Sequence, residues 1–291
     1  MLNETGKQGK TAVVIGASMA GLLAARALAD HFDQVTLLER DRFPAPGENR
    51  RGVPQGKHTH VLLELGRQIM ERYLPGLTDE LARRGAVTMA DVSRSVRWFR
   101  GGYHRPGASD IAGVGVSRPV LEASVRARVL ALPNVQVMEG CKVLGLVAEG
   151  GRVAGVRLAR GEAGGEETMP AGLVVDASGR GSRSPAWLED LGYARPAVEQ
   201  VRVDLGYTTC FFRRRPEQTP GLEGIVLVPT PPDRRMGVML AQDGDRWVVT
   251  LGGYLGEHVP ADYQRFLQAA KKLPTPDIYH VIKNAELVRE P

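Results

Sequence analysis

Residues 11–39 read TAVVIGASMAGLLAARALADHFDQVTLLE, and this stretch decides the fold. Its opening run, Thr11 to Ile15, is short, apolar and rich in β-branched residues, which is typical of a strand buried on both faces of a parallel sheet. A glycine-containing turn from Gly16 to Gly21 follows, then a run of strong helix formers to Asp30, and then a second apolar run from Gln34 to Leu38. The order strand, glycine turn, helix, strand predicts a βαβ unit.

The turn carries a recognisable spacing of small residues. Gly16, Ser18 and Gly21 stand at the three fixed positions of the G-x-G-x-x-G pattern, with Ser18 in place of the middle glycine. Gly16 would permit the tight turn and Gly21 the close approach of the helix to the sheet, and the N–H groups at the start of that helix would face a pyrophosphate. We predict that this turn binds a dinucleotide. A glycine-rich turn in another kind of α/β protein is the alternative.

An acidic residue ends the second predicted strand. Glu39 lies 23 residues after Gly16, where a carboxylate can accept hydrogen bonds from both hydroxyls of a ribose. An acid at this position also disfavours a ribose 2′-phosphate, which makes NADP a poor candidate for this site. Glu39 therefore predicts a dinucleotide with free ribose hydroxyls.

The segment after Glu39 helps to decide which dinucleotide. A domain that binds NAD would continue with further short βα units. Instead, a loop rich in proline and glycine at 43–49 leads into RRGVPQGKHTH at 50–60, before a predicted helix near Val61 to Tyr73. Arginines, a glutamine and histidines within one loop are suited to contacting phosphates and a polar ring edge. A solvated loop is the alternative interpretation.

Three of these features together resemble the flavin monooxygenase group: the turn at 16–21, the Glu39-Arg40-Asp41 ending and the segment at 52–58. That group includes aromatic hydroxylases of the p-hydroxybenzoate hydroxylase type, squalene-epoxidase-like enzymes and geranylgeranyl reductases. The resemblance spans nearly the whole chain and implies FAD as the cofactor. It implies contacts to FAD from the turn, from the strand ending and from the loop: Gly16, Ser18, Met19, Ala20, Gly21, Glu39, Arg40, Arg51, Gln55 and His58.

The segment VSRP at 116–119 extends the resemblance. It opens a predicted helix that runs to about Leu130, with Ser117 as a plausible N-cap. The resemblance implies that Arg118 reaches the phosphates on the flavin side and that backbone near Val143 contacts the adenine.

A second glycine turn follows another predicted buried strand, in LVVDASGRGSR at 173–183. This segment resembles the family's second fingerprint, which implies that Asp176 and Gly179 belong to the FAD site. Both residues match the geranylgeranyl reductase version best, whereas Ser178 stands where the hydroxylase version has an aspartate. A plain turn at the end of a strand is the alternative.

The pattern changes after Trp187. Strand-like runs with turn residues between them predict a mixed or antiparallel sheet, followed by a helix from Asp262 to Leu273. The predicted fold is α/β, with a Rossmann-like FAD-binding domain (a parallel sheet with flanking helices) and a mixed or antiparallel sheet that forms a substrate domain. The predicted bounds are 1–95 and 114–195 for the first domain, and 96–113 and 196–291 for the second. The strand-like runs of the second are Val201–Arg213, Ile225–Pro229, Arg235–Ala241 and Trp247–Tyr254.

The family's remaining fingerprint is a Gly-Asp segment that contacts the flavin ribityl chain and follows the sheet domain. Gly244-Asp245 lies between two strand-like runs and lacks the small-residue helix that should follow, so we interpret it as a hairpin turn. The resemblance then predicts that this chain corresponds to the front part of a family member, either truncated or completed by a partner chain. A complete minimal version is the alternative.

The chemistry that the resemblance implies belongs largely to the flavin. NAD(P)H would act as a transient electron donor, and O₂ would be used to oxygenate an apolar small molecule, by hydroxylation or epoxidation. No triad, metal cluster or paired-carboxylate motif is present, so no catalytic residue and no metal site are predicted. A flavin-dependent double-bond reductase is the near alternative, followed by an NAD-dependent dehydrogenase and an FAD-binding remnant without turnover. A flavin halogenase is disfavoured because no Trp-x-Trp-x-Ile-Pro segment occurs.

Composition sets the outer limits. The formal charge is only +5 over 291 residues, without a basic stripe interleaved with aromatics, so nucleic acid is not an expected partner. Cys141 and Cys210 have no metal-ligand spacing and are interpreted as reduced residues of a cytoplasmic protein. The apolar stretch at 11–25 resembles a signal peptide, but its glycine spacing, Arg26 and the strand that follows favour the nucleotide turn. No later stretch is long and apolar enough to span a bilayer.

Overall fold

The computed structural model describes residues 9–161 and 164–289. In chain order its strands are β1 (Gly9–Ile15), β2 (Phe32–Glu39), β3 (Leu62–Leu63), β4 (Val87–Met89), β5 (Val96–Phe99), β6 (Gly113–Gly115), β7 (Val135–Glu139), β8 (Cys141–Glu149), β9 (Arg152–Arg160), β10 (Glu166–Pro170), β11 (Leu173–Asp176), β12 (Gly206–Arg213), β13 (Gly224–Leu227), β14 (Arg235–Gln242), β15 (Arg246–Gly253) and β16 (Leu287–Arg289). Its α-helices are α1 (Met19–Ala29), α2 (Glu64–Tyr73), α3 (Leu77–Arg83), α4 (Val92–Ser95), α5 (Arg118–Leu130), α6 (Ser184–Asp190), α7 (Tyr263–Lys271) and α8 (Asp277–Ile282).

The chain divides into two compact units, each made of two separate segments. The first unit combines the residues up to Val53 with Glu122–Glu199, and the second combines Pro54–Leu121 with the residues from Gln200 onward. These bounds differ from the predicted ones, because residues 54–95 and 114–121 fall in the second unit. The physical reason is that side chains of this segment bond to strands and turns of the later one: His58 to Thr209, Thr59 to Thr250 and Ser117 to Asp243.

A four-stranded parallel sheet forms the centre of the first unit, in the order β11-β1-β2-β7. Strand β1 lies between β2 and β11, and its side chains from Ala12 to Ile15 are buried on both faces of the sheet, as its lack of polar alternation predicted. This arrangement confirms the predicted βαβ unit and the Rossmann-like sheet. A second, antiparallel sheet in the order β10-β9-β8 belongs to the same unit.

Side chains from both sheets of the first unit pack into one core. Val13 and Leu38 of the parallel sheet belong to a buried cluster with Val156 and Leu158 of β9 and with Trp187 of α6. The β8–β9 hairpin turns at Gly150-Gly151, where both residues have positive φ values, as the two-residue turn predicted.

The second unit is built on a six-stranded sheet in the order β16-β12-β15-β14-β13-β5. Its strands are antiparallel except for β13 and β5, which are parallel, so the predicted mixed or antiparallel sheet is confirmed. One face carries Phe212, Met239 and Trp247, which form a buried cluster with Phe266 of α7 and Ile278 of α8. This cluster is the core of the second unit.

Turns and helix ends in the second unit follow the predicted chemistry in most places. Gly244 and Asp245 lie in the β14–β15 hairpin with φ values of 75° and 48°, which confirms the hairpin interpretation. The Asp262 carboxylate caps α7 by accepting a hydrogen bond from the Arg265 N–H at 2.8 Å.

Among the described residues, no helix combines the length and apolar character that a bilayer-spanning segment needs.

Two predicted element bounds were wrong. The helix expected from Val61 begins at Glu64, because Leu62 and Leu63 pair with β6 as a short strand. The strand expected from Val201 begins at Gly206. Val201 lies outside this strand, and because its side chain is 88% exposed it does not pack into the core.

Replacing Phe266 with alanine should destabilise the protein by about 3–5 kcal/mol, because the fully buried ring leaves a cavity in the core of the second unit. Urea denaturation measures this change in unfolding free energy. Val201→Ala, at an exposed position of the same unit, is the control and should change stability by less than about 0.5 kcal/mol. Equal effects of the two substitutions would contradict the assigned core.

Candidate functional site

The turn between β1 and α1 has no room for side chains at its two glycines. Gly16 has a φ of +95°, and a Cβ there would lie 2.7 Å from the carbonyl oxygen of Ala177. A Cβ on Gly21 would lie 1.8 Å from the carbonyl oxygen of Gly16, so only glycine lets α1 start this close to the strand. The backbone geometry is therefore the one that the spacing predicted for both glycines.

The N-terminus of α1 has no side-chain cap. Ser18 occupies the N-cap position in an extended conformation, yet its side chain accepts no hydrogen bond from the first turn of the helix. Instead, its hydroxyl donates to Oε2 of Glu122 at 2.8 Å. Met19 is half-buried and Ala20 is exposed at the start of the helix.

Glu39 lies at the carboxyl end of β2, beside this turn, and is buried. Its Oε2 accepts hydrogen bonds from the Ala17 N–H at 2.9 Å and pairs with Nη2 of Arg50 at 2.6 Å, while its Oε1 accepts from the Asp41 N–H at 3.0 Å. Burial alone would raise the pKa of Glu39, but the two backbone N–H groups and the Arg50 guanidinium outweigh it and hold the pKa below its ordinary value. Glu39 is thus ionised at neutral pH and is tied directly to the glycine turn.

Arg50 joins Glu39 to a second buried carboxylate. Its Nη1 donates to Oε1 of Glu122 at 2.7 Å and to the carbonyl oxygen of Ala17 at 3.0 Å. The side chains of Arg50 and Glu122 are 6% and 4% exposed. We call Glu39, Arg50 and Glu122 the charge cluster; it surrounds the glycine turn with fixed hydrogen-bonding groups.

Sequence reasoning missed Arg50 and Glu122 as parts of this site. It singled out Arg51, which is exposed, whereas the neighbouring Arg50 points into the unit. Residues 121–125 of α5 read LEASV, a mixed sequence that gives no local sign that all five are buried and that Glu122 needs a buried partner.

The second glycine turn lies next to the first. Asp176 pairs in register with Ile15, and the Ala177 N–H donates to the Ile15 carbonyl oxygen at 2.8 Å, so the carboxyl ends of β1 and β11 are side by side. Gly179 has a φ of +81° with open space around its Cα. The structure thus brings the predicted residues of both fingerprints to the same edge of the sheet.

Asp176 is held by its own turn. Its carboxylate accepts hydrogen bonds from the Ser178 N–H at 2.8 Å and from the hydroxyls of Ser182 and Ser184. Burial opposes ionisation of Asp176, but these donors prevail and lower its pKa. The carboxylate therefore shapes the turn that Gly179 continues.

The remaining predicted residues of the first unit lie at its surface or on the second sheet. Arg40 and Arg51 are exposed. Val143 is half-buried on β8, where it pairs with Leu158 of β9.

Three predicted residues belong to the second unit. Gln55 is exposed on a short 3₁₀ turn, and its carbonyl oxygen accepts from the His58 N–H at 3.1 Å. Arg118 is half-buried and begins α5, while both the N–H and the hydroxyl of the preceding Ser117 bond to the carboxylate of Asp243. Ser117 thus ties the start of α5 to the β14–β15 hairpin.

His58 is held against the sheet of the second unit. Its Nδ1 hydrogen-bonds to the Thr209 hydroxyl at 2.9 Å, and its ring meets Tyr207 edge to face with the centroids 4.9 Å apart. Thr209 in turn bonds to Thr250, which bonds to Thr59. Burial, and then the nearby positive charges, lower the pKa of His58, so the imidazole is neutral at neutral pH.

A cavity of about 1130 Å³ also lies in the second unit. Its walls combine apolar side chains, among them Leu63, Val96, Trp98 and Ile111, with charged ones, among them Glu64, Arg97, Arg105 and Asp277. Its volume is slightly above the roughly 300–1,000 Å³ of most pockets for small organic molecules.

No group of three or more metal-ligating His, Cys, Asp or Glu side chains comes together in the described ranges 9–161 and 164–289. Cys141 and Cys210 are both buried, and neither forms a disulfide bond with a described residue. The cytoplasmic location inferred from these cysteines stays a prediction.

The glycine turn, the acid at the end of β2 and the parallel sheet define a dinucleotide-binding unit of the Rossmann type. The family model described as FAD dependent oxidoreductase matches residues 12–185, and this chain belongs to that family.

Two curated relatives and a solved structure are similar to this chain. Protein Rv3254 of Mycobacterium tuberculosis is 36% identical over 291 aligned residues, which cover 94% of this chain and 59% of that protein. Glycine oxidase of Pseudomonas putida is 32% identical over 175 residues, 59% of this chain and 45% of the oxidase. The fold is similar to that of PqsL, a probable FAD-dependent monooxygenase from Pseudomonas aeruginosa, with a TM-score of 0.71 at 15% identity over 97% of this chain and 73% of PqsL. The chain thus spans 59% and 45% of the lengths of the two curated relatives.

Glu39→Gln should reduce the loss of unfolding free energy that accompanies a fall in pH. Because the pKa of Glu39 in the folded chain lies below its ordinary value of 4.5, the stability linked to its charge is complete above that value and is lost as the pH falls through the lowered pKa. We expect wild type to exceed Glu39→Gln in unfolding free energy at neutral pH, and this difference to shrink below the ordinary value of 4.5. Urea denaturation at several pH values measures it.

Glu48→Gln is the matched control for this comparison, since Glu48 is exposed in the loop that follows β2. Its difference from wild type should stay small at every pH. A difference between wild type and Glu39→Gln that does not change with pH would contradict the proposed ionisation of Glu39.

Proposed function

We propose that this chain binds FAD and acts as a monooxygenase, using NAD(P)H and O₂ to oxygenate an apolar small molecule. The observation that carries the proposal is the glycine turn between β1 and α1 with Glu39 attached to it. The similarity to PqsL, itself described as a probable FAD-dependent monooxygenase, supports the choice of reaction type.

The residues of the first unit fit the adenosine diphosphate half of FAD. The backbone at Gly16 and Gly21 is too crowded for side chains, and the start of α1 offers N–H groups that no side chain caps. Oε1 of Glu39 accepts only the Asp41 N–H among the described groups, and a carboxylate oxygen can accept a second hydrogen bond from a ribose hydroxyl. The pyrophosphate would lie at the helix start and the adenosine ribose at Glu39.

The further predicted contacts complete this proposal. We propose that Arg40, Arg51, Val143, Asp176 and Gly179 also contact FAD. We propose the same role for Gln55, His58 and Arg118. Each of these assignments rests on the family resemblance.

The apolar part of the cavity in the second unit supports the choice of an apolar substrate. Val96 and Trp98 would contact such a molecule, while Arg97 and Arg105 would meet any polar group that it carries. When bound, FAD supplies the electron transfer and the oxygen activation. The chain's own contribution is to hold the cofactor and to enclose the substrate, which limits the access of water to the reaction.

A flavin-dependent double-bond reductase is the second candidate. Ser178, in the second glycine turn, favours it, because the hydroxylase version of this fingerprint has an aspartate there. The glycine oxidase similarity covers 59% of this chain and supports an oxidoreductase, while it leaves the substrate open. An FAD-binding remnant without turnover is the third candidate.

The purified chain should keep a flavin absorption band through gel filtration after incubation with FAD. Glu39→Gln should weaken FAD binding by about tenfold, because a charge-assisted hydrogen bond to the ribose is replaced by a weaker neutral one. Glu48→Gln, at an exposed position, is the control and should bind FAD like wild type. Flavin fluorescence titration measures the three dissociation constants.

A colourless protein that binds NADH but not FAD would contradict the proposal. Bound FAD without NAD(P)H oxidation, with or without a panel of apolar substrates, would favour the remnant. NAD(P)H oxidation that reduces an alkene without consuming O₂ would favour the reductase.

A further inference from the structure

Ser18 stands at a position where its side chain could interfere with the cofactor. A serine at a helix N-cap ordinarily accepts a hydrogen bond from the second or third N–H of the helix, which here belong to Ala20 and Gly21. A phosphate bound at a helix N-terminus needs these same N–H groups. A capping Ser18 and a bound pyrophosphate would therefore compete.

The structure shows Ser18 turned away from that role. Its hydroxyl makes no capping hydrogen bond and donates to Oε2 of Glu122, a residue 104 positions later in the sequence. Glu122 is buried, and its other oxygen, Oε1, is fixed by Nη1 of Arg50 at 2.7 Å. The acceptor for the Ser18 hydroxyl is thus held in place from both sides.

The electrostatics of the charge cluster allow a carboxylate to serve in this place. An unpaired Glu122 close to a pyrophosphate would repel it. Arg50 lies between Glu122 and Glu39, pairs with both, and also donates to the carbonyl oxygen of Ala17 in the turn. The guanidinium therefore offsets part of the negative charge that Glu122 brings to the turn.

We infer that Glu122 is a positioning residue for FAD: by accepting the Ser18 hydroxyl, it leaves the N–H groups of Ala20 and Gly21 open to the pyrophosphate. This inference rests on the proposed binding of FAD by the first unit. It gives a physical reason why a serine can replace the middle glycine of the motif, since the hydroxyl is drawn out of the path of the phosphates.

Four variants separate this role from a purely structural one: Glu122→Ala, Glu122→Gln, Ser18→Ala and the double variant Ser18→Ala/Glu122→Ala. Two readouts are needed: amide hydrogen exchange at Ala20 and Gly21 in the chain without FAD, and FAD affinity from flavin fluorescence. In Glu122→Ala the released hydroxyl should cap α1, so both amides should exchange more slowly than in wild type. FAD binding should weaken by about tenfold, the equivalent of one competing hydrogen bond.

The double variant is the decisive one, because it lacks both the acceptor and the hydroxyl. It should return amide exchange to the wild-type rate and bring FAD affinity back to within about threefold of wild type. Glu122→Gln keeps an oxygen that can accept from Ser18 and should lie closer to wild type than Glu122→Ala. Ser18→Ala alone should bind FAD at least as tightly as wild type.

Two results would overturn this inference alone. FAD binding by Glu122→Ala with wild-type affinity would show that the hydroxyl does not compete. A loss of affinity in Glu122→Ala that the double variant does not recover would assign Glu122 a structural role through Arg50. Failure of the wild-type chain to bind FAD would overturn the proposed function together with the inference.

Discussion

The proposed cofactor site depends on the two buried ion pairs that the guanidinium of Arg50 makes. It bridges two buried carboxylates, Glu39 at the end of β2 and Glu122 on α5, and it donates to the carbonyl oxygen of Ala17 in the glycine turn. Segments far apart in the sequence therefore meet at one side chain. Removing one partner of a buried ion pair typically costs about 3–5 kcal/mol, because the remaining charge is left without compensation.

The charge cluster also explains how a modified glycine motif keeps its geometry. Gly16 and Gly21 fix the backbone, since neither position has space for a Cβ. Ser18, in contrast, brings a side chain into the turn, and the hydrogen bond to Glu122 determines where that side chain lies. Backbone sterics and side-chain hydrogen bonds thus share the task of keeping the helix N-terminus accessible.

Local chemistry made part of this site predictable from the sequence. Gly16, Gly21 and Glu39 could be assigned because a tight turn, a close helix approach and a strand-ending acid each constrain a residue type at a fixed spacing. Choosing between Arg50 and Arg51 needed the fold, because adjacent loop residues have equal propensities and only tertiary packing buries one of them.

The bounds of the two units were harder to predict from the sequence than the strands and turns within them. The hairpin at Gly244-Asp245 was predictable from turn residues between strand-like runs. The assignment of residues 54–95 to the second unit depends on contacts with residues far along the chain, such as His58 with Thr209 and Thr59 with Thr250, which no local pattern encodes.

We propose that the first unit recognises the adenosine diphosphate half of FAD through the glycine turn and Glu39, and competition calorimetry with FAD, ADP, 2′-phospho-ADP and FMN measures this recognition. We expect ADP to displace FAD, and 2′-phospho-ADP to compete less well because its 2′-phosphate meets the Glu39 carboxylate. FMN, which lacks the adenosine, should not compete. Displacement of FAD by FMN, or equal competition by ADP and 2′-phospho-ADP, would contradict it.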